Sequence, residues 1–246
     1  MAGVSGTLPT RIAGIATAIA TAIVITAVAI MPFLSPAWVA FEQDRVDAAA
    51  WTGYAAADLR AATDAILADL VLGPPDFDVE VAGEPVLSER ERAHMRDVRS
   101  VFGGFGLVAV ASIVLLVAAV AGAQRLGHPE RAWRAVRNGA RGLLVVVVVA
   151  GVVALVAFDV AFEVFHRLFF AGGSYTFDPG TERLVQLFPF RFWSETTMAV
   201  GALIVVLALV VSVFAGRRAR PAAHAASPAP PTDTTDGFAA QPGAAR

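Results

Sequence analysis

The stretch FDVAFEVFHRLFF, residues 158–170, sets two carboxylates and an imidazole within eight residues at the end of a strongly apolar segment. Asp159, Glu163 and His166 have i, i+4, i+7 spacing, so a helix presents all three on one face. A second imidazole, His94, stands in SERERAHMRDVRSVF, with Asp97 one helical turn beyond it. Two histidines with acids nearby suit general acid–base chemistry, a metal site or a proton path. No His-x-x-x-His pair is present, so a metal ranks third of the three, and no cofactor is indicated.

Plainer roles compete for the same residues. A lone histidine at a helix end is more often an interfacial residue or a cap than a catalyst. Asp97 can simply pair with Arg96 or Arg99. Carboxylates inside an apolar span are a different matter: they are costly there and by default mark a site facing the bundle interior. Asp159 and Glu163 are read that way. Downstream, AGGSYTFDPGTERLVQLFPFRFW (171–193) contains a helix stop at Gly172-Gly173, a turn at Asp178-Pro179-Gly180 and a short apolar face of Leu184, Leu187 and Phe188. Its aromatic cluster, ending in Phe192 and Trp193, suits a membrane-interface belt or the lining of a lipid-chain entrance. Tyr175, Arg191, Phe192 and Trp193 are the candidates for substrate contact.

The elements that must position these residues are written in the hydropathy. Uncharged runs cover residues 12–34, 101–123, 142–158 and 196–216 of the 246, the third continuing to 165 across its two acids. Each is close to the ~20 residues that cross a hydrocarbon core. Mean hydropathy is +0.64, and only 16% of residues are charged. The fold class expected is an all-α membrane protein: four transmembrane helices, a partly helical extracytoplasmic segment between the first two, and a small β-hairpin. Cysteine is absent, which excludes thiol nucleophiles, disulfides and thiolate metal sites. All 19 basic residues are arginine.

Charge asymmetry orients the spans. The 124–141 link carries five arginines and one acid, and RRAR follows the last span at 217–220. Residues 42–99 carry thirteen acids and six arginines. The positive-inside rule then puts both termini and the 124–141 link in the cytoplasm of a bacterial cell membrane. The expected organisation is a membrane domain over 1–216, with spans near 12–35, 100–123, 142–165 and 195–216. Outer segments cover about 37–98 and 166–194, and 217–246, including His224, is expected to be a disordered cytoplasmic tail. The first span is read as an uncleaved anchor, its apolar run exceeding the ~7–15 residues of a signal peptide.

In the long outer segment, Leu59, Ala62, Ile66 and Leu70 form the stripe of an amphipathic helix over 51–73. Alternation around Gly83 predicts the hairpin, and Ser88 with Glu91 has capping-box spacing. The helix begun there runs on into the second span, which lifts His94 about 10 Å above the apolar run at ~1.5 Å per residue. A continuous third helix from 142 rises about 36 Å to 165 and delivers His166 to the same membrane face.

Three pieces in this order, His-Met-x-Asp-Val before the second span, Phe-His-x-x-Phe-Phe after the third and Leu-Phe-Pro-x-x-Phe-Trp before the fourth, give the chain a family resemblance. Over residues 11–216 it resembles the bacterial lipoprotein intramolecular transacylase (Lit) family of four-helix membrane proteins. The resemblance implies acyl transfer at the outer membrane face: the sn-2 chain of a diacylglyceryl lipoprotein passes to the α-amine of its N-terminal cysteine. The family's two functional histidines fall on His94 and His166, with Asp97, Asp159 and Glu163 beside them. The implied partners are diacylglyceryl lipoproteins and membrane phospholipid, with no nucleic acid. His166 is the expected base, oriented by Asp159 or Glu163, and His94 the second acid–base or oxyanion partner; a protonated histidine or Arg191 is expected to steady the oxyanion.

The rival reading from another class is a non-catalytic membrane protein that binds lipid or lipoprotein in the same groove. A transporter is weaker, since four spans without repeats or broken helices lack that signature. Catalysis demands that His94 and His166 converge.

Overall fold

The computed structural model describes residues 8–170 and 174–220. The expected stop at Gly172-Gly173 and the tail from 221 lie outside the described residues. Four helices are long and apolar enough to span a bilayer: α1 (Leu8–Ile30, extended by a 3-10 turn over Met31–Leu34), α5 (Glu89–Arg125), α6 (Pro129–Val156) and α9 (Phe190–Arg218). Between them lie α2 (Pro36–Arg45), α3 (Ala48–Thr52), α4 (Ala56–Val71), β1 (Glu80–Val81), β2 (Glu84–Pro85), α7 (Phe158–Phe169) and α8 (Arg183–Leu187).

Within the bundle α6 lies against both α1 and α9, and α1 also packs on α5. Small residues make this close approach possible, as is general where lipid removes any hydrophobic drive between helices. Ala29, Ala140 and Ala208 are fully buried. A Cβ on Gly139 would collide with the backbone carbonyl of Ala18 across the α1–α6 contact. Thr17 and Thr21 hydroxyls, buried in α1, return their protons to the Ala13 and Thr17 carbonyls, so they introduce no unpaired donor. Large apolar side chains such as Leu107, Val145 and Leu155 instead stay exposed, as a lipid-facing surface requires.

One end of the bundle carries a cap with a core of its own. The predicted amphipathic stripe on α4 buries Leu59, Ala62 and Ile66 against Phe77, Leu87 and Leu187. The hairpin forms where predicted, with Val81 paired to Glu84 and the turn residues Ala82 and Gly83 both at positive φ. Ser88 and Glu91 close a reciprocal capping box, and α5 continues unbroken from there into its span.

The third span differs from expectation. Instead of one helix from 142 to 165, α6 begins at Pro129, inside the arginine-rich link, and stops at Val156. Ala157, at φ −146° and ψ 57°, interrupts it, and α7 begins at once. No proline or glycine marks the break. The acid in the first turn of α7, Asp159, suits the positive end of a new helix dipole. The 36 Å straight rise therefore does not apply, and α7 is a separate amphipathic helix whose Val160, Val164 and Leu168 are exposed.

Candidate active site

His94 and His166 come together at the capped end although 72 residues separate them in sequence (166 minus 94). Their ring centroids are 6.3 Å apart and their planes 22° from parallel. His94 projects from the first two turns of α5, above the apolar run of that span, and is 6% exposed. Phe170 and Phe177 meet its ring edge-on at 4.9 and 5.4 Å. Its Nδ1 is buried without a hydrogen-bond partner among the described residues. Burial, and secondarily the neighbouring His166, push this imidazole down to about 4, with Asp97 pulling weakly the other way. His94 is therefore a neutral ring at physiological pH.

His166 is half-buried on α7. Its Nδ1 lies 2.7 Å from the Phe162 carbonyl oxygen. A carbonyl can only accept, so Nδ1 carries the proton and Nε2 keeps the lone pair. Burial lowers this imidazole from its usual value, opposed by the Phe162 hydrogen bond and the Glu163 charge. Aromatic rings enclose it: Phe162 at 3.9 Å, Tyr175 at 4.9 Å and Phe170 at 5.5 Å.

The expected carboxylate clamp on His166 takes another form. The tautomer is held by a backbone carbonyl, and Glu163 makes no hydrogen bond to the ring; it accepts instead from the Tyr175 hydroxyl, at Oε1, 3.0 Å away. Arg167 donates to the same oxygen at 2.7 Å. Asp159 and Asp97 are exposed and make no hydrogen bond or ion pair among the described residues. The Arg96 and Arg99 pairings considered for Asp97 go elsewhere, Arg96 to Glu89 and Arg99 to the Asp69 carbonyl.

A signal missed at the level of sequence is the Glu-x-x-His spacing that precedes both histidines, Glu91/His94 and Glu163/His166. Neither glutamate turns to its histidine. Buried Glu91 completes the capping box and also accepts the Leu184 N–H at 2.7 Å, tying the 174–188 segment to α5. Among the described residues, no group of three histidine, aspartate or glutamate side chains could hold a metal ion.

The loop that lays Phe177 on His94 is pinned from the same helix turn. Arg90 donates to both oxygens of Glu182 at 2.6 and 2.7 Å and to the Thr176 carbonyl at 2.9 Å. Its guanidinium stands over the Phe177 ring, 4.8 Å from the centroid. Glu182 in turn accepts the Asp178 N–H, and Asp178 accepts the Gly180 N–H in the predicted turn.

Of the four candidate substrate contacts, only Tyr175 touches a histidine. Phe192 is a core residue of the cap, 3% exposed and packed on Phe188 and Trp193. Arg191 donates to Glu195 Oε1 at 2.5 Å, while Arg45 holds Glu195 Oε2 through two nitrogens at 2.9 and 2.7 Å. Arg191 is thus committed to a neighbouring charge cluster, with no hydrogen bond to either imidazole. Beside it, Glu42 is 1% exposed, and burial together with the Glu195 charge pushes its carboxyl up to about 7. Nothing in the sequence distinguishes Glu42 from the other acids of its segment. Glu42, Arg45 and Glu195, with Trp38, Phe41, Phe158 and Phe190, line an open cavity of about 590 Å³ at the α6–α7 junction. Phe190 stands 6.0 Å from Phe162, which links that cavity to His166.

A four-span bundle capped by a folded segment that holds two facing imidazoles defines a polytopic membrane protein with its site at the bundle's end. Residues 13–193 match the family described as Lipoprotein intramolecular transacylase Lit. The chain belongs to the Lit family, and is thereby a transacylase that acts on lipoproteins; its four span-length apolar helices make it an integral membrane protein. The in meso structure of the membrane integral lipoprotein intramolecular transacylase Lit from Bacillus cereus has the same fold, at TM-score 0.72 and 17% identity over 85% of this chain and 95% of that one. Two further structures of that protein, carrying a histidine-to-arginine and a histidine-to-alanine substitution, match at TM-score 0.67 and 18% identity. They cover 92% and 93% of their own chains and 85% of this one. No curated protein matches by sequence.

Proposed function

We propose that this transacylase moves the sn-2 acyl chain of a diacylglyceryl lipoprotein onto the α-amine of its N-terminal cysteine, with His166 as base and His94 as its partner. The facing of the two imidazoles across 6.3 Å carries this reading. Because amine and ester belong to one molecule, positioning supplies much of the rate. His166 Nε2, its lone pair free because Nδ1 is committed to Phe162, takes a proton as the amine nitrogen bonds to the ester carbonyl carbon. The tetrahedral intermediate collapses by breaking the bond to the sn-2 oxygen, which receives that proton. An ester and an amine become an amide and an alcohol, leaving an N-acyl, S-monoacylglyceryl lipoprotein.

Neutral His94 suits a hydrogen-bond donor to the oxyanion better than an imidazolium, since its aromatic surround disfavours charge. Tyr175 and Glu163 position His166; Asp97 acts on His94 only through space. The cavity at the α6–α7 junction receives an acyl chain, its aromatic wall running by way of Phe190 and Phe162 to the base. The arginine distribution supports a topology with both termini in the cytoplasm and the capped end outside, where exported lipoproteins and the phospholipid leaflet meet it.

Mass spectrometry of lipoprotein N-termini in a host expressing this chain tests the reaction. The lyso form is expected with the intact protein and its loss with His166→Ala. Unchanged diacylglyceryl forms beside a folded, membrane-inserted protein overturn the reading and leave a binding protein.

A further inference from the structure

At the opposite end of the bundle, α6 and α9 enclose a pocket of about 420 Å³ lined by Arg134, Arg137, Arg141, Arg217 and Arg220. Five guanidinium groups around one small space repel one another unless an anion joins them. Among the described residues only Arg134 has an acidic partner, Glu130, at 3.9 Å. Arg141 donates to Ser212 Oγ at 3.2 Å, a neutral acceptor. Arg137 Nε is buried with no hydrogen-bond partner at all among the described residues, its stem running past Gly216. A buried N–H left open costs stability, and the half-buried guanidinium that carries it faces a pocket where an anion would supply the acceptor.

The surroundings say what brings that acceptor. The pocket lies where two spanning helices leave the apolar zone. Trp133 meets Phe214 edge-on at 5.6 Å, and Arg218 stands over Phe214 at 5.3 Å, the aromatic and arginine pairing of a membrane interface. Val213 forms part of the pocket wall, and Val206, Val210 and Val213 follow i, i+4, i+7 along α9, each 54–60% exposed. An apolar lane one side chain wide therefore runs from the pocket along the lipid-facing surface.

We propose that this pocket binds the phosphate of an anionic phospholipid, with guanidinium groups of Arg137, Arg141 and Arg217 on the phosphate oxygens and an acyl chain along the Val206–Val210–Val213 lane. Arginine forks match phosphate geometry, and basic pockets between spanning helices are a general means of holding anionic headgroups. The site is distinct from the two-histidine centre, at the other end of the bundle.

Native mass spectrometry and thermal unfolding of the purified full chain test it, with phosphatidylglycerol, phosphatidylcholine and inorganic phosphate as separate additions. Phosphatidylglycerol is expected to stay bound and raise the unfolding temperature. Arg137→Gln with Arg217→Gln should weaken that binding by about tenfold or more, and Arg217→Gln alone, at an exposed position, should weaken it measurably without a folding defect. Equal retention of phosphatidylcholine overturns the proposal, as does full stabilisation by inorganic phosphate with nothing added by lipid. Asp233→Asn with Asp236→Asn covers the remaining occupant, the chain's own tail. If that pair lowers the unfolding temperature as much as the arginine changes do, the tail fills the pocket and the lipid does not.

Discussion

His166 donates its Nδ1 proton to the carbonyl of Phe162, one turn back on its own helix, at 2.7 Å. A backbone group thereby does what a carboxylate does in many histidine sites: it selects the tautomer and leaves the Nε2 lone pair free. The arrangement needs no buried charge in an aromatic pocket, and it makes the proposed base depend on the geometry of α7 rather than on a side-chain acid.

The first expectation concerns the pair itself. His166→Ala should cost ~10²–10⁴-fold in acyl transfer, the usual range for a general base. His94→Ala should cost a similar factor through the oxyanion. A coupled assay reading the N-terminal amide in each variant checks both. A near-native rate in His166→Ala would transfer the base role elsewhere.

Acidity should act on rate and stability in the same direction. His166 lies below its ordinary 6.5, so activity should hold above neutrality and fall as pH drops through the lower folded value. Glu163→Gln removes a charge that raises His166, moving this acid limb to lower pH; an unmoved limb would disconnect the two residues. For stability, the unfolded chain binds a proton at His94 near pH 6.5 while the folded chain resists until about 4. The stabilisation is complete above 6.5 and is lost as pH falls from there towards 4. Unfolding temperatures across that window should drop less steeply for His94→Phe.

Arg90 and Glu182 make an exposed bidentate pair, worth at most about 1 kcal/mol of stability. Their larger effect should be on rate. Arg90→Ala frees the loop that lays Phe177 against His94, and small displacements at a reacting centre cost up to ~10²-fold. We expect a rate loss well beyond the change in unfolding temperature, and comparable losses in both would make the pair merely structural.

Helix packing supplies a fourth expectation. Gly139→Ala forces a methyl into the Ala18 carbonyl, so α1 and α6 must separate. Overpacking of this kind costs about 1–3 kcal/mol. Gly14→Ala, on the same pair of helices with nothing within 4 Å, should leave the unfolding temperature nearly unchanged.

Much of this architecture was legible residue by residue. Uncharged runs of bilayer length announced the spans, the Ser88/Glu91 spacing announced the start of α5, and the alternation about Gly83 announced the hairpin. Those signals are local, held within a few turns of chain. The break at Ala157 was hidden because nothing but Asp159 marks it, and the valine run before it reads as continuous helix. Arg191 stands beside the aromatic cluster, which made it a candidate; in the fold it pairs with Glu195 one turn along α9, and what the sequence does not show is that Arg45 of α2 holds the same carboxylate.

By itself, the sequence determined a four-span protein with two histidines near one membrane face and arginines at the other, because hydropathy, caps and charge asymmetry act through neighbours in the chain. Only the tertiary structure decided which groups meet. Arg90 finds Glu182 across 92 residues, Gln43 finds the Leu187 carbonyl across 144, and His94 finds His166 across the α6–α7 break. Such contacts depend on where α7 leaves the bundle and how the cap folds over it, and local periodicity carries no record of either.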